Sequence, residues 1–235
     1  IVFEDADLES AVMGAISGIF AATGQTCIAG SRLLLQRSIH DQFVERLIEV
    51  AKTAHIGDPM SPDTHVGPVT TPPQYQKIMD YIDIARKDGA KCVLGGKAYT
   101  GPEAKGGQFV EPTIFTGVDN KMRIAQEEVF GPLLSVIPFD TEEEAISIGN
   151  DVDFGLAAGV WTKDIGRAIR MSEKLRVGTV WVNTYRAVSF TSPFGGYKRS
   201  GIGRESGLEA IKGYMQVKSV WIAQQSNPAN PFVMR

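Results

Sequence analysis

Leu133-Leu134-Ser135-Val136-Ile137-Pro138-Phe139, Thr141-Glu142-Glu143-Glu144 and Thr179-Val180-Trp181-Val182-Asn183 frame the stretch that decides the fold. The first run is apolar and short, as a buried strand is. The second is a capping box and predicts a helix to about Ile148. Gly155 to Trp161 reads as the next strand. Asp164 then caps a helix to Arg176, which Gly178 ends. Thr179 to Asn183 returns as a strand. Strands alternating with helices predict an α/β domain with a mainly parallel open sheet flanked by helices. In such sheets ligands sit at the carboxyl ends of the strands.

Working outward, the pattern continues on both sides. Ala6 to about Ala22 reads as a helix, with Asp5 as N-cap and Leu8, Val12, Ile16 and Ile19 on one stripe. Gly24 stops it. Arg32 to Gln36 is a strand and Ser38 to Ala54 a helix, with Ser38 and Asp41 at capping-box-like spacing. Thr71-Pro72-Pro73 opens a helix that Gly89 closes, because the first turn needs no N–H from proline. Lys91 to Leu94 and Phe109 to Phe115 are expected strands. Gly195 to Gly207 is glycine-rich, and a short helix is expected near Leu208 to Lys212. Met215 to Ile222 alternates like a strand, and Gln224 to Arg235 reads as a polar, mobile tail.

Composition sets the limits. The 235 residues carry 24 basic and 27 acidic side chains, a formal net charge of -3. With 43% hydrophobic residues this is a globular chain, not a disordered one. The absence of a basic surplus argues against nucleic acid as a partner. No apolar run approaches the ~18–20 residues that a membrane span needs. Two cysteines make no disulfide framework, so a reducing, cytoplasmic setting is expected. The chain starts Ile1-Val2-Phe3 with no leader pattern and no Met, which reads as an excerpt of a longer protein.

Few residues suggest chemistry by themselves. His40, His55 and His65 stand too far apart for a metal motif, so none is expected. No G-x-S-x-G occurs. Gly201 to Gly207 imitates a dinucleotide fingerprint, but its third glycine is displaced and no strand leads into it. Cys27 sits among small residues, Gly24-Gln25-Thr26-Cys27-Ile28-Ala29-Gly30-Ser31, between a helix and a strand. Such a turn allows close backbone approach and can aim N–H groups at an oxyanion. The bland alternative is an inert thiol. A cysteine hydrolase or acyltransferase would need a histidine brought in by the fold. Cys92, within an expected strand, reads as structural.

Taken together, several segments resemble one family. Gly24-Gln25-Thr26-Cys27 with Gly30-Ser31-Arg32 resembles the active-site cysteine motif of the NAD(P)-dependent aldehyde dehydrogenases. Glu127-Glu128-Val129-Phe130-Gly131-Pro132 is similar to that family's cofactor-contact motif. Trp181-Val182-Asn183 and Ser192-Pro193-Phe194-Gly195-Gly196-Tyr197-Lys198-Arg199-Ser200-Gly201 resemble its C-terminal segments. The order is kept from residue 1 to about Ile222.

The resemblance implies roles. Cys27 would be the nucleophile and its N–H half of the oxyanion hole. Glu128 would bind the nicotinamide ribose, with Gln74 and Lys77 nearby, and Phe130 would hold the nicotinamide ring of NAD or NADP. Glu205 would assist the base that activates water. Thr26, Ile28, Thr184, Arg186, Val188 and Phe194 would line the aldehyde tunnel. An inward Arg186 would favour an aldehyde bearing a carboxylate. Without the resemblance, Glu127 and Glu128 read as solvated charge, Phe130 as core, Gln74 and Lys77 as an exposed helix face, Glu205 as a loop ion-pair partner and Arg186 as a rim residue.

The resemblance also implies an organisation. Residues 1–207 would be the catalytic domain, 208–222 a helix and oligomerisation strand, and 223–235 a tail. The family's general-base glutamate, its second oxyanion donor and most of its cofactor domain would lie upstream of Ile1. The chain alone is therefore expected to be nearly inactive, and its unpaired C-terminal strand to drive homodimer formation. The alternatives are a non-catalytic scaffold of the same fold or a variant that passes its thioester to coenzyme A.

Overall fold

The computed structural model describes residues 1–224, 230 and 232. In chain order the elements are α1 (Leu8–Phe20), β1 (Arg32–Gln36), α2 (His40–Ala51), α3 (Pro72–Lys87), β2 (Lys91–Leu94), β3 (Thr113–Thr116), α4 (Arg123–Gln126), β4 (Leu133–Phe139), α5 (Glu142–Asn150), β5 (Phe154–Gly155), β6 (Ala157–Val160), α6 (Ile165–Lys174), β7 (Thr179–Val182) and β8 (Tyr197–Lys198).

Four strands pair in the order β1-β4-β3-β2. β4 is parallel to both β1 and β3, and β2 closes that edge antiparallel. β6 and β7 pair parallel in a second sheet. Val2 joins the two. Its N–H donates to the Leu34 carbonyl at 2.9 Å, and its carbonyl accepts from Gln36 N at 3.0 Å. On its other side Phe3 N donates to the Trp161 carbonyl at 3.1 Å. The strands therefore run on as one parallel-dominated surface.

Both faces of that surface are covered, which is why its strands read as continuous apolar runs. Leu133, Ile137 and Phe139 point one way, onto Ile78, Ile82 and Met171 of α3 and α6. Leu134 and Val136 point the other way, onto Val12, Phe43 and Leu47 of α1 and α2. The period of two in β4 thus separates two cores rather than a core from solvent.

Several sequence-based expectations are corrected. Asp7, not Asp5, caps α1, accepting from Ser10 N at 2.9 Å. Asp5 instead binds across the fold to the Thr162 hydroxyl, the Lys163 and Asp164 N–H groups and Arg167. Ser38 does not cap α2, because its hydroxyl donates to Glu4 at 2.7 Å. A 3-10 turn, Arg37–Ile39, precedes that helix instead. The expected strand from Phe109 is shorter, since Pro112 has no N–H for the ladder. Its first residues pair outside the sheet, where Tyr99 N donates to the Phe109 carbonyl at 3.0 Å.

The C-terminal segment differs most. The short helix expected near Leu208 to Lys212 is present as a 3-10 helix, Leu208–Tyr214. Met215 to Ile222 forms no strand, because no described strand offers it an edge. Its alternation leaves Val217, Trp221 and Ile222 exposed. Residues 225–229, 231 and 233–235 of the expected tail lie outside the described residues. No described helix is long and apolar enough to cross a membrane.

Candidate active site

The segment between α1 and β1 carries Cys27. After Phe20 the chain tightens into a 3-10 turn, Ala21–Gly24, in which Ala22 and Thr23 are left-handed. Gly24 has φ +66 and lies against the Gly131 backbone, where a side chain would strike the Gly131 carbonyl. Gln25 fixes the next step. Its Oε1 accepts from Thr70 N at 3.0 Å and its Nε2 donates to the Pro68 carbonyl at 3.2 Å. Ala29 N then donates to the Thr26 carbonyl at 3.1 Å, closing a turn with Cys27 exposed near its apex.

Two consecutive residues beyond β7 brace this turn. The Tyr185 hydroxyl donates to the Ile28 carbonyl at 2.9 Å. Arg186 Nη2 donates to Thr26 Oγ1 at 2.7 Å, and its Nη1 to the Ser17 carbonyl at 3.1 Å. The Tyr185 ring fits where Gly18, Gly30 and Gly159 leave room, since a Cβ at any of them would crowd it. It also packs on Trp181, with ring centroids 4.9 Å apart. Burial pushes the Tyr185 hydroxyl up to about 12, against the pull of Arg186. It therefore stays protonated and keeps donating.

The loop from Glu127 to Pro132 forms the facing wall. Phe130 sits at φ 62, a conformation that non-glycine residues hold only when their surroundings enforce it. α3 supplies that restraint. Gln74 Nε2 donates to the carbonyls of Val129 and Phe130 at 2.8 and 3.0 Å. Lys77 Nζ donates to the Glu128 carbonyl at 2.7 Å. Glu127 pairs with Arg123 at 2.7 Å and accepts from the Tyr81 hydroxyl. These contacts, Arg123 first, hold the Glu127 carboxyl down at about 2.

Between the two walls lies a cleft of about 400 Å³, lined among others by Thr26, Cys27, Ile28, Glu128, Phe130 and Tyr185. The fold thus brings together residues some 100 positions apart in sequence. Gln74 and Lys77 stand behind the Glu128–Phe130 loop, with side chains engaged by backbone. Arg186 does not itself line the cleft but bonds Thr26, which does. Phe194 and Glu205 form a reciprocal backbone pair, at 2.8 and 2.7 Å, but neither lines the cleft. Thr184 and Val188 are exposed and also do not line it.

None of the three histidines lines the cleft, so the hydrolase alternative lacks its base there. Among the described residues no three His, Cys, Asp or Glu side chains group as metal ligands do. Sequence reasoning missed Tyr185 as a brace. Its one local signal is that it follows the end of β7, while the glycines that admit it lie in three separate segments.

Comparison with known proteins matches the chain to aldehyde dehydrogenases. The model described as "Aldehyde dehydrogenase family" matches residues 1–220. A betaine aldehyde dehydrogenase of Mesorhizobium japonicum is 48% identical over 232 residues, covering 99% of the chain and 47% of the relative. An aldehyde dehydrogenase of Emericella nidulans is 48% identical over 220 residues, covering 94% and 44%. A betaine aldehyde dehydrogenase from Staphylococcus aureus, solved in complex with NAD+, superposes with a TM-score of 0.95 at 44% identity. That match covers 99% of this chain and 46% of the solved one. The chain spans about half the length of the curated relatives it matches.

Proposed function

The chain belongs to the aldehyde dehydrogenase family, and from this we propose that it carries the nucleophile and the nicotinamide-facing wall of an enzyme that oxidises an aldehyde to a carboxylic acid. The observation that supports this reading best is the position of Cys27. It stands exposed on a turn braced at Thr26 and Ile28, in a cleft shared with Glu128 and Phe130.

The chemistry suits a thiol. A trigonal aldehyde carbon does not readily release its hydrogen as hydride. The Cys27 thiolate adds to that carbon, forming a C–S bond, while the carbonyl electron pair moves to oxygen. The Cys27 N–H would stabilise this alkoxide. The tetrahedral adduct then loses hydride, leaving an acyl group on Cys27 that water hydrolyses. When bound, NAD+ would supply the hydride acceptor, as relatives solved with NAD+ suggest.

The facing wall fits such a cofactor. The Glu128 side chain is exposed and unengaged among the described residues, as a carboxylate awaiting ribose hydroxyls would be. Phe130 would present a flat face to the nicotinamide. Gln74 and Lys77 would act by holding the backbone of this loop. Glu205, away from the cleft, would act on water only through another base. Thr26 and Ile28 would contact the aldehyde, with Thr184, Val188 and Phe194 forming its outer approach. Residues 1–207 would work as the catalytic unit and 208–222 as an arm packing on a second copy, in a cytoplasm that keeps the Cys27 thiol reduced.

Iodoacetamide labelling of the chain tests the core of this reading. Cys27 should be alkylated many times faster than Cys92. Equal rates, or faster Cys92, would overturn it. In a protein that also carries the family's cofactor domain, Cys27→Ser should abolish aldehyde-dependent NAD+ reduction.

A further inference from the structure

We infer that Arg186 makes this site selective for aldehydes bearing a carboxylate, a step that rests on Cys27 as the nucleophile. The guanidinium is tied to Thr26 Oγ1, one residue from Cys27, and to the Ser17 carbonyl. Both acceptors are neutral, so neither cancels its charge. Among the described residues no carboxylate lies within ion-pair distance of Arg186, whereas Arg123 pairs with Glu127 and Arg167 with Asp5. Two of its five N–H donors are used in these bonds, leaving part of the planar fork free.

Its neighbours do not soak up the charge either. Of the two carboxylates on the facing wall, Glu127 is already neutralised by Arg123, and Glu128 lines the same cleft but makes no ion pair with Arg186 among the described residues. Of the arginines that line the cleft, Arg32 is committed to Asn120 Oδ1 and to the carbonyls of Ile148 and Gly149, and Arg199 to Asp153. Arg186 itself has φ 62, a left-handed backbone conformation that the surrounding structure must enforce. A half-buried, uncompensated guanidinium beside a nucleophile attracts an anionic substrate group and repels a cationic one. An aldehyde with its carbonyl at Cys27 and a carboxylate a few carbons away satisfies both groups. A quaternary-ammonium aldehyde, of the kind for which several relatives are named, meets like charge instead.

The test uses reversible protection of Cys27. A thiol adds to an aldehyde so that sulfur bonds carbon and the carbonyl oxygen takes the proton, which blocks alkylation without any cofactor. The chain is labelled with iodoacetamide in the presence of 4-oxobutanoate or butanal. 4-Oxobutanoate should protect Cys27 at about five-fold lower concentration, the effect of a unit charge across about 8 Å of half-wet protein. Arg186→Gln should remove that advantage and Arg186→Lys restore part of it. If the glutamine variant does not fold, salt decides: in the unmodified chain the advantage should vanish between 10 mM and 500 mM NaCl, within about the range where screening takes hold. An advantage that survives salt, or survives Arg186→Gln, sinks the inference. Iodoacetate against iodoacetamide separates the two claims. A charge preference at Cys27 with no protection by either aldehyde would count against the catalytic reading. Protection by both aldehydes equally would count against the role of Arg186.

Discussion

Gly24 and Gly131 meet backbone to backbone, with no room for a side chain between them. One belongs to the segment that carries Cys27, the other to the loop that carries Glu128 and Phe130. Their contact joins the two walls of the cleft. Gly24→Ala would add a methyl group that strikes the Gly131 carbonyl, at a left-handed φ that alanine disfavours. A loss on the order of 3 kcal/mol is expected. Thermal unfolding checks it, and an unchanged midpoint would show that the two walls are not in such contact.

Tyr185→Phe keeps the ring in its three-glycine slot and deletes only the hydroxyl. The Ile28 carbonyl then lacks its donor. Stability should fall by about 1 kcal/mol. Iodoacetamide should also label Cys27 at a changed rate while Cys92 keeps its own, because only one of them sits on the braced turn. Parallel changes at both cysteines would mean that the hydroxyl serves the fold at large.

Glu127 gives a pH dependence of known sign. Its folded-state value lies near 2, below the ordinary 4.5, through hydrogen bonds from Arg123 and then Tyr81. Its contribution to stability is therefore complete above about pH 4.5 and drains away as pH falls toward 2. The pair is partly exposed, so solvent screening keeps the effect small. Glu127→Gln should lower the denaturation midpoint at pH 7 and have little effect near pH 2. A penalty that is the same at both pH values would contradict this.

The C-terminal arm predicts self-association. Val217 is 99% exposed and Trp221 94%, within a segment that also exposes Leu208, Tyr214 and Ile222. So much apolar surface in one segment marks a contact site. Light scattering should show mass rising above the monomer with concentration, and Val217→Glu with Trp221→Glu should reverse it. A clean monomer at high concentration would refute the arm's role.

The layers of the fold were legible because period and punctuation survive in β4, α5, α6 and β7, where local preference and tertiary packing agree. Cap assignments failed where a distant partner outbid the local one, as Glu4 did for Ser38 and Thr162 for Asp5. The Met215 to Ile222 strand failed for a related reason. Alternation states which residues share a face, but a strand exists only where another offers its edge. Linked motifs singled out Cys27, Glu128 and Phe130, and the fold brings these three to one cleft. The braces were not legible, since Tyr185 fits only because glycines from three separate segments converge on it.

The two bonds that brace the Cys27 turn span 157 and 160 residues of sequence. Order of synthesis follows from that span. As the chain emerges from a ribosome, position 27 is made about 160 residues before its clamp, so over that interval the turn is unbraced. The geometry around position 27 is then completed only when the end of β7 docks on a turn made long before.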